Sequence, residues 1–490
     1  MAARSGVTPR PSLRSRSCQI LLAWAYISAH YASDSFWLAG HRNPIDQKIP
    51  RSSLVFEDQD QYDWWHRGGP VLAKLMRHAD YNVHKQYEYL VLFAYLVVPF
   101  LGPSPENGRR NLYPPLVDLE FSQNFQQNGC ITRIAFQPAK SITSLSERDP
   151  LKRLATYEVL VRLFQMDGVE LDLTLYHHCM SSLSLTSTEE RYLLQQNSRE
   201  PLPPVFRTQS CIALNLQKNG NARVKFYSFL LGKALVSQAA ASDLAFGSIR
   251  TLHHGNALFG SALRHVEDYL RGQYTGGITG VAPASPSSFH PTGVVQMACD
   301  LVPVERSRFK VYLQECLVKF ERVVDIWTLG GRLPLTPESN SALEILRTVW
   351  SLLKIREGYH FPAEMAARSG ADTRRGSNGQ AGSPSHLDQT FFDGQFLMFN
   401  YEFQPGDPCP RPQIYFPLSA MSYTAVTDAV VALFVKLGWT EHANAYRGNV
   451  AEYYPSAGLD ETSGLQYWLS FSFSAITGPY TSIYYRRIGG

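Results

Sequence analysis

A short strand-like segment with a long polar side chain recurs four times in this 490-residue chain, roughly every ninety residues. The polar residues, 92, 85 and 103 positions apart, are Arg133, Lys225, Lys310 and Gln413. In three segments a tyrosine follows two positions later: Tyr227, Tyr312 and Tyr415. Residues i and i+2 of a strand share a face, so each segment points a polar head and a phenol the same way. Such a period predicts a closed barrel assembled from repeats.

Helical and strand-like patterns alternate along the whole chain. Apolar residues recur at intervals of three and four in stretches that predict helices at 64–76, 85–98, 150–164, 343–354 and 425–437. Alternation in period two predicts strands at 130–137, 211–217, 222–230, 309–313, 397–403, 413–417, 467–473 and 480–485. The Asn-Gly pair at 219–220 predicts a hairpin between two of these strands. Hairpins indicate an antiparallel sheet, so we expect an α/β chain with an antiparallel barrel.

Composition and charge exclude several classes of protein. The chain is 44% hydrophobic, which is ample for a buried core and excludes a disordered chain. Its net charge of +4 comes without dense blocks of lysine and arginine, so we expect no nucleic-acid partner. The longest apolar run, 90–101, is broken by Pro99 and is too short to cross a bilayer, so we expect no membrane association.

The cysteines and the N-terminus bear on location. Seven scattered cysteines, an odd number without CxxC spacing, indicate reduced thiols and a cytoplasmic protein. Residues 10–32, where arginines precede an apolar run at 20–27, resemble a weak signal or transit peptide. The thiols favour the cytoplasm, and a secreted or membrane-linked enzyme is the alternative.

We expect a single domain over 56–490, preceded by an atypical extension at 1–55. Residues 274–293 are rich in Gly, Ser and Pro and are expected to form a loop. Residues 366–388, rich in Gly, Ser and Arg, are expected to form an exposed insertion.

Cations and phenols on the inner face of a barrel suggest a chemistry. Buried Lys and Arg side chains are costly without an anion, and a phosphate or diphosphate would compensate them. Aromatic faces attract a developing carbocation through the ring quadrupole. One reaction uses both the cations and the aromatic faces: an allylic diphosphate ionises, and the resulting carbocation is transferred to an electron-rich ring. The simpler alternative is that each Lys-x-Tyr segment is a surface ladder of an ordinary sheet.

The order of several motifs resembles the dimethylallyltryptophan synthase family of fungal aromatic prenyltransferases. They are WWHRGGPVLAKLMRHADYN (64–82), VPFLGPSP (98–105), LEFSQNF (119–125), TRIAFQP (132–138), VKFYSF (224–229), SRFKVYL (307–313), FNYEFQPG (399–406), PQIYFPL (412–418), LSFSF (469–473) and GPYTSIYY (478–485). The resemblance implies a ten-stranded antiparallel barrel of ββαα repeats ringed by helices, the prenyltransferase ABBA barrel. It also implies an active site inside the barrel and no metal or other cofactor.

The resemblance also assigns residues. The shell for the prenyl diphosphate would be Arg133, Lys225, Tyr227, Arg308, Lys310, Tyr312, Gln413 and Tyr415. Glu120 matches the family's acidic residue that accepts a hydrogen bond from the acceptor's ring N–H; a solvated strand end is the alternative. Trp468 stands where a pocket tyrosine is expected and would enlarge the apolar wall of the acceptor pocket. Gln137 replaces an acidic residue often found there in the family.

Two further signals favour structural roles. The acidic run 57–63 lacks the DDxxD spacing that binds magnesium and is expected to be a solvated approach to a helix. The adjacent histidines at 177–178 and 253–254 lie on opposite faces if they are on strands, so we expect neither pair to chelate a metal.

The sequence therefore predicts a prenyltransferase that moves a dimethylallyl group from dimethylallyl diphosphate to an aromatic carbon of a small indole acceptor. That acceptor would be tryptophan, a tryptophan-containing cyclic dipeptide or an alkaloid precursor. The first alternative is a phenolic or polyketide acceptor, and a second is a non-catalytic binding barrel. The oligomeric state stays open, with a homodimer among the options.

Overall fold

The computed structural model describes ten long strands, twelve α-helices and the segments between them. The described residues are 56–104, 118–140, 153–196, 206, 208–275, 292–334, 336–355, 357–359, 396–418, 421–454 and 464–485. The expected extension at 1–55, which contains the signal-like stretch 10–32, and the expected insertion at 366–388 lie outside this part of the chain.

Ten antiparallel strands close into a barrel. They are β1 (Leu119–Gln126), β2 (Gly129–Phe136), β3 (Ser210–Leu216), β4 (Ala222–Phe229), β5 (Thr292–Asp300), β6 (Phe309–Glu315), β7 (Leu397–Phe403), β8 (Arg411–Pro417), β9 (Gln466–Ser474) and β10 (Gly478–Tyr485). Each strand pairs with the next along the chain, and β10 pairs with β1 to close the ring. The expected antiparallel barrel is confirmed.

Strand alternation gives the barrel two different faces. The outward face is apolar, with side chains such as Phe121, Ile134, Leu214 and Val311 fully buried against the surrounding helices. The inward face carries most of the polar residues of the same strands. Because successive side chains point to opposite sides, one alternating sequence builds both the core and a polar interior.

Helices follow each of the first four hairpins and cover the barrel. They are α1 (Gln59–His78), α2 (Val83–Leu92), α3 (Arg153–Phe164), α4 (Thr174–Leu183), α5 (Ser187–Gln196), α6 (Leu231–Ser237), α7 (Ala241–Arg250), α8 (Gly255–Thr275), α9 (Phe320–Thr328), α10 (Pro337–Leu352), α11 (Tyr423–Lys436) and α12 (Thr440–Tyr453). Several begin at side-chain caps: Asp58, Asn82, Thr336 and Ser422 each accept a hydrogen bond from a backbone N–H of the first turn.

The predicted elements agree with this architecture. Every predicted strand lies on a barrel strand, and the expected hairpin turn has Gly220 at φ +83°, a conformation that suits glycine. The helix expected at 85–98 ends at Leu92 and continues as a π turn (Phe93–Val97) and a 3₁₀ turn (Val98–Phe100), where Pro99 cannot extend an α-helix. Of the expected loop at 274–293, the first two residues belong to α8 and the last two to β5, and the residues between them lie outside the described part of the chain.

Short strands complete the fold. Val169–Glu170 adds in parallel to β4, and Leu317–Val318 pairs with Gly358–Tyr359 outside the barrel. Among the described helices none is both long and apolar enough to span a bilayer.

Candidate active site

A cavity of about 380 Å³ occupies the end of the barrel where the hairpin turns lie. Its wall includes six of the residues singled out in the sequence: Arg133, Lys225, Arg308, Lys310, Tyr312 and Gln413. The barrel therefore brings together cations that are far apart in the chain. Their inward orientation follows from strand alternation, as expected.

The strand register places a partner directly opposite each recurring polar residue. Arg133 on β2 faces Asn215 on β3, and its Nε donates to the Asn215 Oδ1 at 2.6 Å. Lys225 on β4 faces Asp300 on β5, with Nζ 2.9 Å from a carboxylate oxygen. Directly opposite residues are the closest cross-strand neighbours in an antiparallel sheet, so these pairs are fixed by the register.

The same arrangement continues around the ring. Lys310 on β6 faces Glu402 on β7, with Nζ 3.1 Å from the carboxylate. Arg308 lies between the two carboxylates: its Nε donates to Asp300 at 2.7 Å and its Nη1 is 3.7 Å from Glu402. The interior thus carries a continuous row of alternating charges.

Burial and neighbouring charges shift the pKa values of these groups. Burial lowers the pKa of Lys310 to about 8, with Lys225 and Arg308 adding to the effect and Glu402 opposing it. Burial likewise lowers the pKa of Lys225, against the opposing pull of Asp300. Burial would raise the pKa of Glu402, but Lys310 and Arg308 outweigh it and lower that pKa to about 2. Lys225 and Arg308 likewise outweigh burial and lower the pKa of Asp300. Both carboxylates are therefore ionised at neutral pH, and the pKa values of both lysines lie below the usual value.

Gln413 is held from three sides. Its side-chain oxygen accepts hydrogen bonds from Lys310 at 2.7 Å and from Asn400 at 3.1 Å, and its nitrogen donates to Ser470 at 3.0 Å. These contacts fix the amide with its oxygen towards the lysine. Asn400 also donates to the Tyr415 hydroxyl at 3.1 Å, which links the polar row to the tyrosines beside it.

Four tyrosine rings line the next level of the barrel. The centroids of Tyr227 and Tyr312 are 5.9 Å apart, those of Tyr312 and Tyr415 6.1 Å, and those of Tyr415 and Tyr484 5.9 Å. The tilted rings form an arc of aromatic faces. Burial raises the pKa of Tyr227, Tyr312 and Tyr415, so the phenols remain protonated. A cation next to these faces would be attracted and shielded from water.

Trp468 packs against this arc on the side away from the cations. Its ring is edge-on to Tyr415 with centroids 6.4 Å apart and lies 5.9 Å from the ring of Phe396. A register irregularity between Gln466 and Trp468 accompanies the packing of Tyr467 beside it. Trp468, Ser470 and Ser472 alternate along β9 and share its inner face: Ser470 accepts a hydrogen bond from Gln413, and Ser472 lines the cavity.

Glu120 lies further from the cavity than the cations. It faces Ala135 on β2, two residues along from Arg133, which corresponds to about 7 Å of strand. Its charge is felt by Cys211 on β3, where it adds to burial in raising the thiol's pKa. Glu120 is therefore on the inner side of the barrel, one step beyond the cation row. The segments 105–117 and 455–463, which precede β1 and β9, lie outside the described residues.

The acidic run 57–63 and the paired histidines lie in helices and turns outside the cavity. Asp58 caps α1 and pairs with Lys140, which confirms the expected helix approach. The assumption of strands for the histidines is wrong: His177 and His178 lie on α4, and His254 occupies a turn with φ +59°. The alternation in period two fails there because the segment is helical. Within the described ranges no cluster of three or more His, Cys, Asp or Glu side chains is arranged to hold a metal.

Sequence reasoning missed several inward residues. Tyr484 completes the tyrosine arc, and Tyr480 lines the cavity from β10. The two carboxylates, Asp300 and Glu402, were also missed. Asn215, Asp300, Glu402 and Ser472 each lie opposite a recurring polar residue on the strand that follows. This recurrence depends on the register between paired strands, and no regular spacing in the sequence marks these residues.

Comparison with known proteins gives a consistent result. Residues 60–449 match the family model described as tryptophan dimethylallyltransferase. The verruculogen prenyltransferase of Neosartorya fischeri is 44% identical over 434 residues, which cover 89% of this chain and 93% of that protein. The prenyltransferase ucdE of Aspergillus ustus is also 44% identical, over 89% of this chain and 94% of its own.

Solved structures share the barrel. AnaPT from Neosartorya fischeri superposes with a TM-score of 0.72 at 25% identity and covers 90% of this chain and 97% of its own. NotF in complex with brevianamide F and DMSPP gives 0.69 at 27% identity, over 88% of this chain and 95% of its own. The barrel and its interior define the class as an aromatic prenyltransferase. The chain belongs to the tryptophan dimethylallyltransferase family, and the expected family and enzyme class are confirmed.

Proposed function

We propose that this enzyme transfers a dimethylallyl group from dimethylallyl diphosphate to an aromatic carbon of an indole acceptor in fungal secondary metabolism. The observation that carries the proposal is the placement of a cationic cavity directly beside an arc of tyrosine faces inside one barrel. Names of relatives support the acceptor class: verruculogen and roquefortine prenyltransferases, and NotF bound to brevianamide F. We extend that class to this chain as tryptophan, a tryptophan-containing cyclic dipeptide or a related alkaloid precursor.

The cations would bind the leaving group. Lys225, Arg308 and Lys310 line one side of the cavity and Arg133 another, so a diphosphate there would contact several charges at once. Its allylic C–O bond breaks and the electron pair leaves with the diphosphate. Fixed cations in a buried site stabilise this developing charge without reorganisation. They supply the neutralisation that a divalent metal would otherwise give, and we therefore propose metal-independent catalysis with no cofactor.

The tyrosines would hold the allyl cation. Tyr227, Tyr312, Tyr415 and Tyr484 present their faces beside the cavity, where quadrupole attraction stabilises positive charge and the rings exclude water. The acceptor's ring carbon then attacks, a C–C bond forms, and that carbon loses its proton to a base, which restores the aromatic ring. Excluding water matters because water is the competing nucleophile.

Glu120 and Trp468 would orient the acceptor. A carboxylate at position 120 would accept a hydrogen bond from the indole N–H and increase the electron density of the ring. Trp468 gives the pocket an apolar wall next to Tyr415. We also propose a cytoplasmic location, supported by the six described cysteines, all of which are free thiols.

The test is mass spectrometry of products from purified enzyme, dimethylallyl diphosphate and EDTA. The acceptor panel contains tryptophan, tryptophan cyclic dipeptides, tyrosine and hydroxylated polyketides. We expect one added dimethylallyl unit on an indole acceptor, with turnover unchanged by EDTA. Prenylation of the phenolic acceptors alone would replace the indole assignment, and ligand binding without any product would indicate a non-catalytic barrel.

A further inference from the structure

The two carboxylates in the interior pose a physical problem. The side chains of Asp300 and Glu402 are 8% and 12% exposed, and both lie among the cations proposed to bind a diphosphate. Negative charge here opposes the binding of an anion. Buried ion pairs are also weak contributors to stability, because desolvation offsets their attraction. Since the two carboxylates favour neither anion binding nor stability, we expect their role to lie in their effect on the neighbouring cations.

Geometry shows how the carboxylates act on the cations. Asp300 lies behind the cavity wall and reaches Lys225 and Arg308 through its two oxygens, at 2.9 and 2.7 Å. Glu402 lines the cavity and is held in turn by Gln404, which donates to its other oxygen at 2.7 Å. Each lysine therefore has one carboxylate directly opposite it in the strand register.

Neighbouring cations oppose the protonation of both lysines. Lys310 is faced by Lys225 from β4 and by Arg308, which immediately precedes β6, and Glu402 from β7 is the counter-charge. Lys225 is faced by Arg308, which immediately precedes β6, and by Arg133 from β2; Asp300 from β5 is its main counter-charge, and Glu402 adds to it. Burial acts in the same direction as the repulsion in both cases. Without its carboxylate, each lysine would lose its proton at a lower pH and stop being a cation.

We propose that Asp300 and Glu402 are positioning residues that keep Lys225 and Lys310 charged and hold these lysines and Arg308 aligned for the donor diphosphate. This inference rests on the proposed function, since it assumes that the diphosphate occupies this cavity. Glu402 would then set the pH at which the empty site loses its affinity for diphosphate. At low pH, where the lysines are protonated in any case, the carboxylates only repel the diphosphate modestly. At higher pH they preserve diphosphate binding because they keep the lysines protonated.

The experiment measures binding of inorganic diphosphate by isothermal titration calorimetry from pH 6.5 to 9.5. The variants are Glu402→Gln and Asp300→Asn, and the quantity compared is each variant's Kd divided by the wild-type Kd at the same pH. This ratio cancels the protonation of the ligand itself. Glu189→Gln is the matched control, because Glu189 pairs with Lys233 at 2.7 Å outside the barrel.

We expect the ratio for Glu402→Gln to rise about sevenfold between pH 6.5 and 9, which is the change that a one-unit fall in the lysine pKa from about 8 gives. Asp300→Asn should show a rise of the same sign, and the control should give a constant ratio. A ratio for Glu402→Gln that does not change with pH would overturn the inference. Failure of the wild-type enzyme to bind diphosphate at pH 6.5 would instead overturn the proposed function.

A second variant keeps the test decisive if Glu402→Gln does not fold. Lys310→Arg replaces the titrating ammonium with a guanidinium that stays charged throughout this pH range. Its Kd divided by the wild-type Kd should fall as the pH passes 8, since only the wild-type site loses a cation. A constant ratio for this variant would show that Lys310 keeps its proton throughout this pH range, which would overturn the inference that Glu402 sets the pH at which the site loses its affinity.

Discussion

Lys310 donates a hydrogen bond to the side-chain oxygen of Gln413 at 2.7 Å, although a whole strand separates them. Lys310 is on β6 and Gln413 on β8, and β7 runs between them with Asn400 directly opposite Gln413. The contact is possible only because both side chains point into the barrel and reach over the intervening strand. Two units of the sequence repeat thus meet at one site. Hydrogen bonds join the polar residues of this row across neighbouring strands.

Removing the cation at Lys310 should weaken use of the donor. We expect Lys310→Gln to lower kcat/KM for dimethylallyl diphosphate by about 100-fold, because one charge-assisted contact to the leaving group is lost. Steady-state kinetics at saturating acceptor give the measurement. Lys233→Gln, which removes a lysine from the outside of the barrel, should leave kcat/KM within about twofold of wild type. Equal losses in the two variants would contradict the role given to Lys310.

The rate should depend on pH through the same lysine. The pKa of Lys310 is lowered to about 8, so the side chain is a cation below pH 8 and neutral above it. Because the cation is the form that binds diphosphate, kcat/KM for the donor should be level near pH 7 and fall as the pH rises past 8. The slope should approach about tenfold per pH unit. A pH profile of kcat/KM from 6 to 10 checks this, and a level profile up to pH 9.5 would be inconsistent with it.

The tyrosine arc should suppress hydrolysis of the donor. Replacing Tyr312 with leucine removes the ring between Tyr227 and Tyr415 and should let water reach the allyl cation. We expect the ratio of dimethylallyl alcohol to prenylated product to rise about tenfold, whereas Tyr312→Phe, which keeps the aromatic face, should stay near wild type. Product ratios by mass spectrometry decide between them. An unchanged ratio in the leucine variant would count against the shielding role.

Glu120 should matter only when the acceptor has a ring N–H to hold. We expect Glu120→Gln to lower kcat with an indole acceptor by about 100-fold, through loss of the charged hydrogen-bond acceptor. The same substitution should have little effect on an N-methylated indole or on a phenol. Parallel kinetics with the three acceptors make the comparison. Equal effects on all of them would place Glu120 in a structural role.

A second buried ion cluster should support stability without affecting the chemistry. Arg322 on α9 donates to the Glu315 carboxylate at 2.6 and 3.0 Å and also pairs with Asp325. Arg322→Met would leave Glu315, which is 1% exposed, without this counter-charge and should lower the free energy of unfolding by about 3 kcal/mol. Thermal and denaturant unfolding give the measurement.

The control for that measurement is an exposed ion pair. Arg271 and Asp268 are 3.6 Å apart and largely solvent-exposed, so Arg271→Met should change the free energy of unfolding by less than about 0.5 kcal/mol. Adding Glu315→Gln to Arg322→Met should recover part of the lost stability, because the unpaired charge is then removed. Wild-type stability in Arg322→Met alone would refute the argument.

Much of the site followed from residues that repeat along the chain. Arg133, Lys225, Lys310 and Gln413 were recognisable because each occupies the same position in a strand-like unit, and the structure places all four around one cavity. The assignment of their roles in binding the diphosphate stays a prediction. The histidines show the limit of such patterns, since a period of two was assumed where the chain is helical. The strand β5 was also missed, because its apolar and small residues show no clear alternation.

The sequence by itself determined the class of the fold and the inward direction of the recurring residues. The alternation in period two along each strand determines which side chains point inward. The recurrence of the strand-like unit roughly every ninety residues indicates a barrel built from repeats. The tertiary structure alone decided which residues meet across strands. Asp300 lies opposite Lys225, and Glu402 opposite Lys310, only because closure of the barrel fixes the register between strands distant in the chain. Register is a property of strand pairing, and spacing along one strand does not contain it.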